Sequence, residues 1–554
     1  MSVKSSNSKA ADALNSSVQG AGYLVLLQLS TRAASFILNL ILLRLTSSRV
    51  LGVVSVELEL LLSTILFLSR EGIRMSILRT SEPASADKNH HAKSPTKTSL
   101  QPVFNLAYLP ILTGLAMIMA VLSYHLFYKG PQRYGDRAQH DMTIAVGLYS
   151  LGALFELLSE PIYVLSQVQL QYNIRVRAEG LAVFCKTLTT LAVMYFFVYM
   201  GTLTDGFAII AFAVAQAVYG LVLLVMYGYN LGTLPRFSKL DSGAYFDSGL
   251  SHLAWSFTLQ SMIKHLLTEG DKIVLVGSST AEDMGVYAYV SNYGSLIARI
   301  LFQPVEETMR AYFSKVLNNS SISGDEAKSV LSVLTMLVKT HFLLGSVFVF
   351  FATNYSTALV SIIGGKTWSA TSAPQAFAAY CLYVPVMGIN GITEGFLQGV
   401  ASEKTLNTQS IRMVGFWLIF IGSGWLFMGV LKMGAVGLIL ANMVNLFLRI
   451  NLACTFIGNF FQDLARKLDD KEIKQLWTFE AVVPRSMAFW GCCVASWLIT
   501  YWSERYIGIG TPRQMMLHIG IGIFCFAITA FVGYKTESQH VRRVRDFIKA
   551  IKRK

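Results

Sequence analysis

Residues 264–272 of the chain read KHLLTEGDK, and they interrupt a run from Leu253 to Val276 that is otherwise apolar enough to cross a membrane. An ionised side chain at the centre of a bilayer costs about 2.5–3.5 kcal/mol, so we expect these groups to face a polar interior. At about 100° per residue, Lys264, Thr268 and Asp271 share one stripe of a continuous helix. Two interpretations stay open: an ion-pair network that locks helices together, and the lining of a wet cavity that binds a charged ligand.

The composition is that of a membrane protein with many spans. Of 554 residues, 53% are apolar and 14% are charged, whereas soluble domains carry about 25% charged residues. The formal charge of +14 does not indicate nucleic-acid binding, because the basic residues lie in short segments between apolar runs. The six cysteines fall inside apolar runs and show neither a disulfide framework nor metal-ligand spacing. We therefore predict an all-α polytopic membrane protein with no metal, cofactor or nucleic-acid partner.

Fourteen apolar runs are long enough for membrane helices, from residues 20–43 to residues 515–532. Fourteen spans place both termini on the same side of the membrane. With cytosolic termini, the cytosolic segments hold about 28 Lys and Arg, against about nine in the opposite segments. Because a miscount by one helix would scramble this alternation, the charges support both the count and the orientation.

A weak internal repeat predicts two related halves. Residues 47–53 and 278–286 each contain a Ser pair, a short polar turn and a Gly-Val that opens the next helix. Two six-helix lobes around a central cavity, plus two C-terminal helices, would give this pattern. The predicted segments are a cytosolic tail (1–19), an N-lobe with helices 1–6 (20–228), a cytosolic linker (229–250), a C-lobe with helices 7–12 (251–457), a cytosolic interfacial helix (458–484), helices 13 and 14 (485–534) and a basic cytosolic tail (535–554).

Other charged side chains lie at membrane depth, and each is costly unless it is paired or hydrated. They include Arg32, Glu59, Arg299 and Arg449. Lys186 and Glu156 lie near the ends of their predicted spans, and the simpler interpretation is that their side chains reach the membrane surface.

Two clusters of charges end the second and eighth predicted spans on the cytosolic side. They are Arg70, Glu71 and Arg74 in the first half, and Glu306, Glu307 and Arg310 in the second. Glu306 and Arg310 are four residues apart and can pair on one helix face. Such clusters serve either as a static lattice that holds the halves together or as a gate whose bridges form and break as the halves rock. Both roles use the same residues, so both stay open.

No catalytic motif is present in the chain. Residues 364–367 read GGKT like the end of a phosphate-binding loop, but that loop needs a glycine where this chain has Val360. The predicted lumenal loops are too short for a membrane glycosyltransferase, so we predict that the protein is not an enzyme. Asn354 starts an N-glycosylation triplet in one of these loops.

Several stretches together carry a resemblance to a known family. They are KHLLTEGDK, YVSNYGSL at 289–296, RILFQPVEE at 299–307, and shorter matches at 69–79, 157–161 and 362–368. In these stretches, and over nearly its whole length, the chain closely resembles the Rft-type proteins of the endoplasmic reticulum. Glu59, rather than Glu57, fits the spacing of that family. The family is grouped with exporters of drugs and lipid-linked oligosaccharides, which have two six-helix lobes around a central cavity and often two further helices.

The resemblance implies a flippase for a pentamannosyl di-N-acetylglucosamine diphosphate on dolichol, in the endoplasmic reticulum membrane. The lipid and its membrane are the expected partners, together with proteins of the N-glycosylation pathway. We expect the diphosphate contacts to be Arg32, Lys264, Lys272 and Arg299. The expected supporting charge network is Glu59, His265, Glu269 and Asp271. Tyr293 would stack on sugars.

Two alternatives to a flippase stay open. A membrane factor that supports assembly or delivery of the glycan precursor, without transporting it, would use the charged stretch structurally. An exporter of organic cations would need a net acidic cavity, whereas the charged stretch is itself neutral. Neither coupling ion nor ATP site is evident in the sequence.

Overall fold

The structure is a computed structural model, and it describes residues 37–81, 100–129, 136–169, 171–231, 236–240, 243–317, 322–470 and 479–552. Within these residues the chain is helical and contains no strand. It divides into two compact units, Met1–Glu269 and Gly270–Lys554. The division falls inside the KHLLTEGDK stretch. The predicted lobe boundaries at 228 and 251 remain predictions.

The first unit is a bundle of closely approaching helices. Its α-helices are α1 (Ser48–Gly52), α2 (Glu59–Ser81), α3 (Gln101–Leu106), α4 (Leu109–Tyr124), α5 (Asp136–Leu158), α6 (Glu160–Val168), α7 (Tyr172–Tyr199), α8 (Asp205–Leu231) and α9 (Ser248–Thr268). Helix α8 packs along α5 and α7, and α9 packs along α2. A Cβ atom at Gly152 would lie 2.8 Å from the carbonyl oxygen of Gln216. Glycine therefore lets the α5 and α8 backbones come close, as small residues do between membrane helices.

The second unit is built around a long central helix, α15. Its α-helices are α10 (Gly270–Ser278), α11 (Ala281–Gly294), α12 (Gln303–Leu317), α13 (Gly324–Phe350), α14 (Ser356–Ser369), α15 (Ala373–Val400), α16 (Glu403–Gly424), α17 (Gly434–Leu468), α18 (Phe479–Val482), α19 (Met487–Ile507), α20 (Pro512–Thr536) and α21 (Ser538–Lys552). Helix α15 packs along α12, α13 and α17. Phe313, Phe396 and Phe461 are fully buried in the core between these helices.

Ten helices in the described residues are long and apolar enough to cross a membrane. They correspond to predicted spans two to six, nine to twelve and fourteen. The first predicted span lies mostly outside the described residues. The seventh is interrupted, and the eighth begins as α11, which has only 14 residues before a π-helical turn at Ala298–Phe302. The all-α membrane architecture is confirmed, and the number fourteen stays a prediction.

The twelfth predicted span is longer than its apolar run. Helix α17 continues as one helix of 35 residues to Leu468, so residues 458–468 extend the span and do not begin a separate interfacial helix at 458. Asp469 follows in the left-handed conformation, with φ 51°, and ends the helix as C-terminal caps often do. Residues 471–478 of the predicted interfacial segment lie outside the described residues.

Candidate functional site

The predicted seventh span breaks inside the charged stretch. Helix α9 ends at Thr268, α10 begins at Gly270, and Glu269 between them has φ −96° and ψ 9°. The expectation of one continuous helix is wrong, because this break interrupts the stripe that would join Lys264 to Asp271. Helix ends at membrane depth leave backbone groups without intrahelical partners, and they are tolerated where protein buries them or where they line a cavity.

In the first unit, the two neighbours Lys264 and His265 have different surroundings. Lys264 is exposed, whereas His265 is buried. His265 Nε2 lies 3.0 Å from Thr64 Oγ1, and its ring stacks on Phe67 with the ring centroids 4.9 Å apart. Both contacts are with α2, so His265 fixes α9 against that helix.

In the second unit, Asp271 is held by a chain of polar groups. Its Oδ2 atom accepts a hydrogen bond of 3.1 Å from Tyr287, and Tyr287 Oη accepts one of 3.3 Å from the Asn442 amide. Its Oδ1 atom accepts one of 2.8 Å from the backbone N–H of Lys272, which is half-buried. Helices α11 and α17 therefore anchor the start of α10, where a carboxylate also suits the helix dipole.

Arg299 and Tyr293 lie further along the same unit. Arg299 is exposed in the π-helical turn, and its Nη2 donates to the Asn292 carbonyl oxygen at 2.7 Å. Tyr293 is half-buried, with its ring centroid 5.2 Å from that of Tyr289. Tyr289 in turn packs against Trp368 at 4.6 Å. Tyr293 thus belongs to an aromatic cluster. Arg32 lies outside the described residues.

The charges that end the second span face a cavity of about 590 Å³ inside the first unit. We call it the first-unit cavity. Its charged and polar lining residues are Asn39, Glu59, Ser63, Arg70, Glu71, Arg74, Glu156, Lys186, Thr187, Thr190, Gln216 and Tyr219. Four of these, Glu59, Arg70, Glu71 and Arg74, are predicted site residues on α2. The cavity therefore brings part of the predicted supporting network together with part of the predicted gate.

A continuous network of ion pairs and hydrogen bonds runs along the wall of this cavity. Arg70 Nη1 donates to Glu160 at 3.1 Å and to Glu156 at 3.4 Å. Arg74 pairs with both oxygens of Glu160. Lys186 Nζ donates to Gln216 at 2.6 Å, and Gln216 donates to Glu156 at 3.2 Å. The expectation that Lys186 and Glu156 reach the membrane surface is wrong, because they are joined through Gln216 inside the bundle.

The corresponding charges of the second unit also pair locally. Arg310 Nη2 donates to Glu306 at 2.5 Å, and a Cβ atom at Gly391 of α15 would lie 2.8 Å from the Glu306 carboxylate. Burial raises the pKa of Glu306 above its ordinary value even though Arg310 opposes the shift. Glu307 is exposed and accepts from Gln303 at 2.9 Å. These pairs join residues of the same unit, as do the pairs of Arg70 and Arg74.

Sequence reasoning missed two buried acids. Glu160 is 1% exposed and holds both Arg70 and Arg74. Glu394 is 8% exposed and pairs with Arg449 at 2.5 Å. A signal was available for Glu160, since it follows Glu156 by four residues and so shares its side of a helical chain. Arg449 at membrane depth predicted a partner, but nothing in the sequence identified Glu394.

The second helices of the two units share a plan that matches the weak sequence repeat. A side-chain hydroxyl caps each start, from Ser47 before α1 and from Thr280 before α11. A π-helical turn follows in each, at Val53–Leu58 and at Ala298–Phe302. A charged cluster comes next in each, Arg70 to Arg74 within α2 and Glu306 to Arg310 within α12. Three features in the same order support a duplicated origin of the two segments.

Asn354 is not on an open loop. It is 5% exposed, and its amide donates to the Trp497 carbonyl oxygen at 2.9 Å and to Thr500 Oγ1 at 2.8 Å. Glycosylation of Asn354 stays a prediction, and it would require this amide to leave both partners.

Comparison with known proteins identifies the family of the chain. The sequence model of the family described as "Rft protein" matches residues 16–546. The Man(5)GlcNAc(2)-PP-dolichol translocation protein RFT1 of Kluyveromyces lactis is 31% identical over 551 residues, covering 95% of this chain and 96% of that protein. The protein of the same name from Saccharomyces cerevisiae is 32% identical, covering 81% and 84%. The one from Mus musculus is 29% identical, covering 94% of each chain.

Two solved structures have the same fold. The lipid II flippase MurJ in an inward closed conformation aligns with a TM-score of 0.51 and 12% identity, over 92% of this chain and 99% of that one. An inward-facing multidrug resistance MATE family transporter of the MOP superfamily aligns with a TM-score of 0.52 and 11% identity, over 80% and 96%. At these identities the likeness concerns the fold alone.

Proposed function

The chain belongs to the Rft protein family, and we propose on that premise that it translocates a dolichol-diphosphate-linked oligosaccharide across the endoplasmic reticulum membrane. The carbohydrate is the pentamannosyl di-N-acetylglucosamine glycan named in its relatives, and the direction is from the cytosolic to the lumenal leaflet. One observation carries the proposal: relatives from yeasts to mouse that align over most of the chain are all named for this translocation. The protein acts here as a transporter and not as an enzyme.

The diphosphate of this lipid is the part that most needs the protein. Moving two negative charges through a bilayer unaided is prohibitive, because apolar surroundings solvate ions poorly. In the proposal, Arg32, Lys264, Lys272 and Arg299 contact the diphosphate. Exposure of Lys264 and Arg299 in the structure supports this assignment, since exposed cations are accessible to a ligand.

Other predicted residues have supporting roles in the proposal. Glu59, His265, Glu269 and Asp271 hold the charged stretch in position, and the contacts of His265 with α2 and of Asp271 with Tyr287 support such a role. Tyr293 stacks on a sugar. The gate residues are Arg70, Glu71, Arg74, Glu306, Glu307 and Arg310, and their pairs would exchange partners during transport. Both termini lie in the cytosol, and proteins of the N-glycosylation pathway are partners.

A charge exchange distinguishes a transporter from a structural support factor. The double variant Lys264→Asp/Asp271→Lys keeps the net charge but moves the cation that meets the diphosphate. In cells that depend on this chain, we expect the variant to lose glycosylation of a reporter protein while its membrane level stays normal. Full glycosylation by the exchanged variant would contradict a diphosphate contact at Lys264.

A further inference from the structure

The first-unit cavity is lined by polar and charged residues that are not among the proposed diphosphate contacts. These residues also differ from those contacts in their chemistry. Its volume, about 590 Å³, is within the range of sites that hold small molecules. Every lining residue named above lies on helices of the first unit, so the cavity is a feature of that unit alone.

The basic groups of this cavity are already engaged. Arg70 and Arg74 are held by Glu156 and Glu160, and Lys186 is held by Gln216. Among the described residues that line the cavity, the carboxylates of Glu59, Glu71 and Glu156 equal the three cations in number. Glu160, which is not part of the lining, neutralises Arg70 and Arg74 further. A diphosphate placed there would meet carboxylates of its own sign and would compete with existing ion pairs. The cavity is therefore a poor site for a phosphate group.

The remaining polar groups of the cavity are mostly acceptors of hydrogen bonds. Within the described part of the chain, the carboxylates of Glu59 and Glu71 accept no hydrogen bond. The hydroxyls of Thr187 and Thr190 donate to the carbonyl oxygens one turn earlier, at 3.0 and 2.9 Å. Their lone pairs remain available as acceptors. A ligand rich in hydroxyl groups but without charge would satisfy such a lining.

We propose that the first-unit cavity binds some of the neutral sugars of the translocated lipid, separately from the cations that contact its diphosphate. This assignment rests on the proposed function, and it divides the head group by chemistry. Acceptor groups receive the sugar hydroxyls, and the cations proposed above as diphosphate contacts receive the phosphates. Binding the glycan lowers the cost of removing its many hydroxyl groups from water.

The test measures binding of a glycan that carries neither lipid nor phosphate. Purified full-length protein in nanodiscs is titrated with the fluorescently labelled Man(5)GlcNAc(2) oligosaccharide. We expect saturable binding that is about tenfold weaker for Thr187→Val/Thr190→Val, because two hydrogen-bond partners are replaced by apolar groups of similar shape. The matched control is Thr335→Val/Thr455→Val, whose hydroxyls also donate to carbonyl oxygens one turn earlier but lie in the second unit. We expect the control to bind as the wild type does.

Three results would overturn the assignment. They are absence of glycan binding, equal weakening by both double variants, and displacement of the glycan by inorganic pyrophosphate or by the organic cation tetraphenylphosphonium. A failure of the proposed function would look different. The wild-type protein would then bind the glycan but leave the rate of lipid translocation in vesicles unchanged.

Discussion

At the residue scale, the most consequential side chains are buried acids that hold cations inside the first unit. Glu160 is 1% exposed and accepts hydrogen bonds from two arginines of α2. In an apolar bundle, removing one partner of such a pair leaves the other charge without compensation. Glu160 therefore decides how firmly α2 is held to α6.

Glu160→Gln should destabilise the protein strongly. Breaking a buried pair by removing one partner costs about 3–5 kcal/mol, so we expect a clear fall in the thermal unfolding temperature of the purified protein. The matched control is Glu179→Gln, which breaks the Arg175–Glu179 pair, where the side chains are 42% and 45% exposed. Exposed pairs four residues apart contribute about 0.3–0.5 kcal/mol, so the control should melt almost as the wild type does. Equal unfolding temperatures for the two variants would contradict the claim that the buried pairs of Glu160 stabilise the protein.

Single residues also show which features of the site the sequence could predict and which it could not. Arg70 and Arg74 were identified because they belong to a charged cluster that ends the second predicted apolar run, and such a cluster is visible in the sequence. Their partner Glu160 was not, because the pair joins residues 90 and 86 positions apart. Such a pairing depends on how α2 and α6 pack, which hydrophobic periodicity does not specify.

At the element scale, the break between α9 and α10 is the main departure from the predicted helices. Periodicity places apolar runs reliably, since a bilayer demands helices of a fixed length. It assumes a continuous helix, however, and so it missed the turn at Glu269. Gly270 was the available signal, because glycine interrupts helices and permits close packing.

Gly270→Ala should disturb α10, and Gly277→Ala in the same helix should not. A Cβ atom at Gly270 would lie 2.3 Å from Trp417 Nε1, whereas no atom lies within 4 Å of a Cβ at Gly277. Overpacking costs about 1–3 kcal/mol, while alanine in an open helical position stabilises by up to about 1 kcal/mol. The thermal unfolding temperature should thus fall for Gly270→Ala and stay level or rise for Gly277→Ala. The opposite order would contradict the packing of α10 on α16.

His540 on helix α21, outside the membrane spans, should make the stability of the protein depend on pH. Burial and the nearby Lys339 lower the pKa of His540 below its ordinary value of 6.5, with Arg543 acting in the same direction and Glu537 against it. The neutral ring is 3.1 Å from Thr340 Oγ1, and Glu537 pairs with Lys339 at 2.7 Å. A lowered pKa means that the folded protein disfavours protonation. The neutral His540 ring therefore contributes fully to the stability of the fold above pH 6.5, and this contribution is lost as the pH falls through the folded pKa.

Thermal unfolding at pH 7.5 and 5.5 tests this dependence. We expect the loss of stability on acidification to be smaller in His540→Gln than in the wild type, because the variant has no ring to protonate. His140→Gln, which replaces an exposed histidine, is the control and should behave as the wild type. An equal loss of stability in all three proteins would show that protonation of His540 does not cause the pH dependence.

At the scale of the whole molecule, the sequence predicted the class of architecture and the family, while the structure supplied the internal organisation. Apolar runs, loop charges and the KHLLTEGDK stretch sufficed for an all-α membrane protein of the Rft family. The first-unit cavity could not be predicted, because its lining comes from five helices far apart in sequence. The Ser pair, the Gly-Val and the two charged clusters were visible in the sequence, whereas the π-helical turns between them were not.

Reconstitution of the purified chain into vesicles tests translocation most directly. Vesicles carry labelled dolichol-linked oligosaccharide, and the fraction reaching the opposite leaflet is followed with time. The account predicts faster movement with the wild-type chain than in protein-free vesicles, and a reduced rate for the Lys264→Asp/Asp271→Lys variant. Equal rates in vesicles with and without the wild-type chain would contradict it.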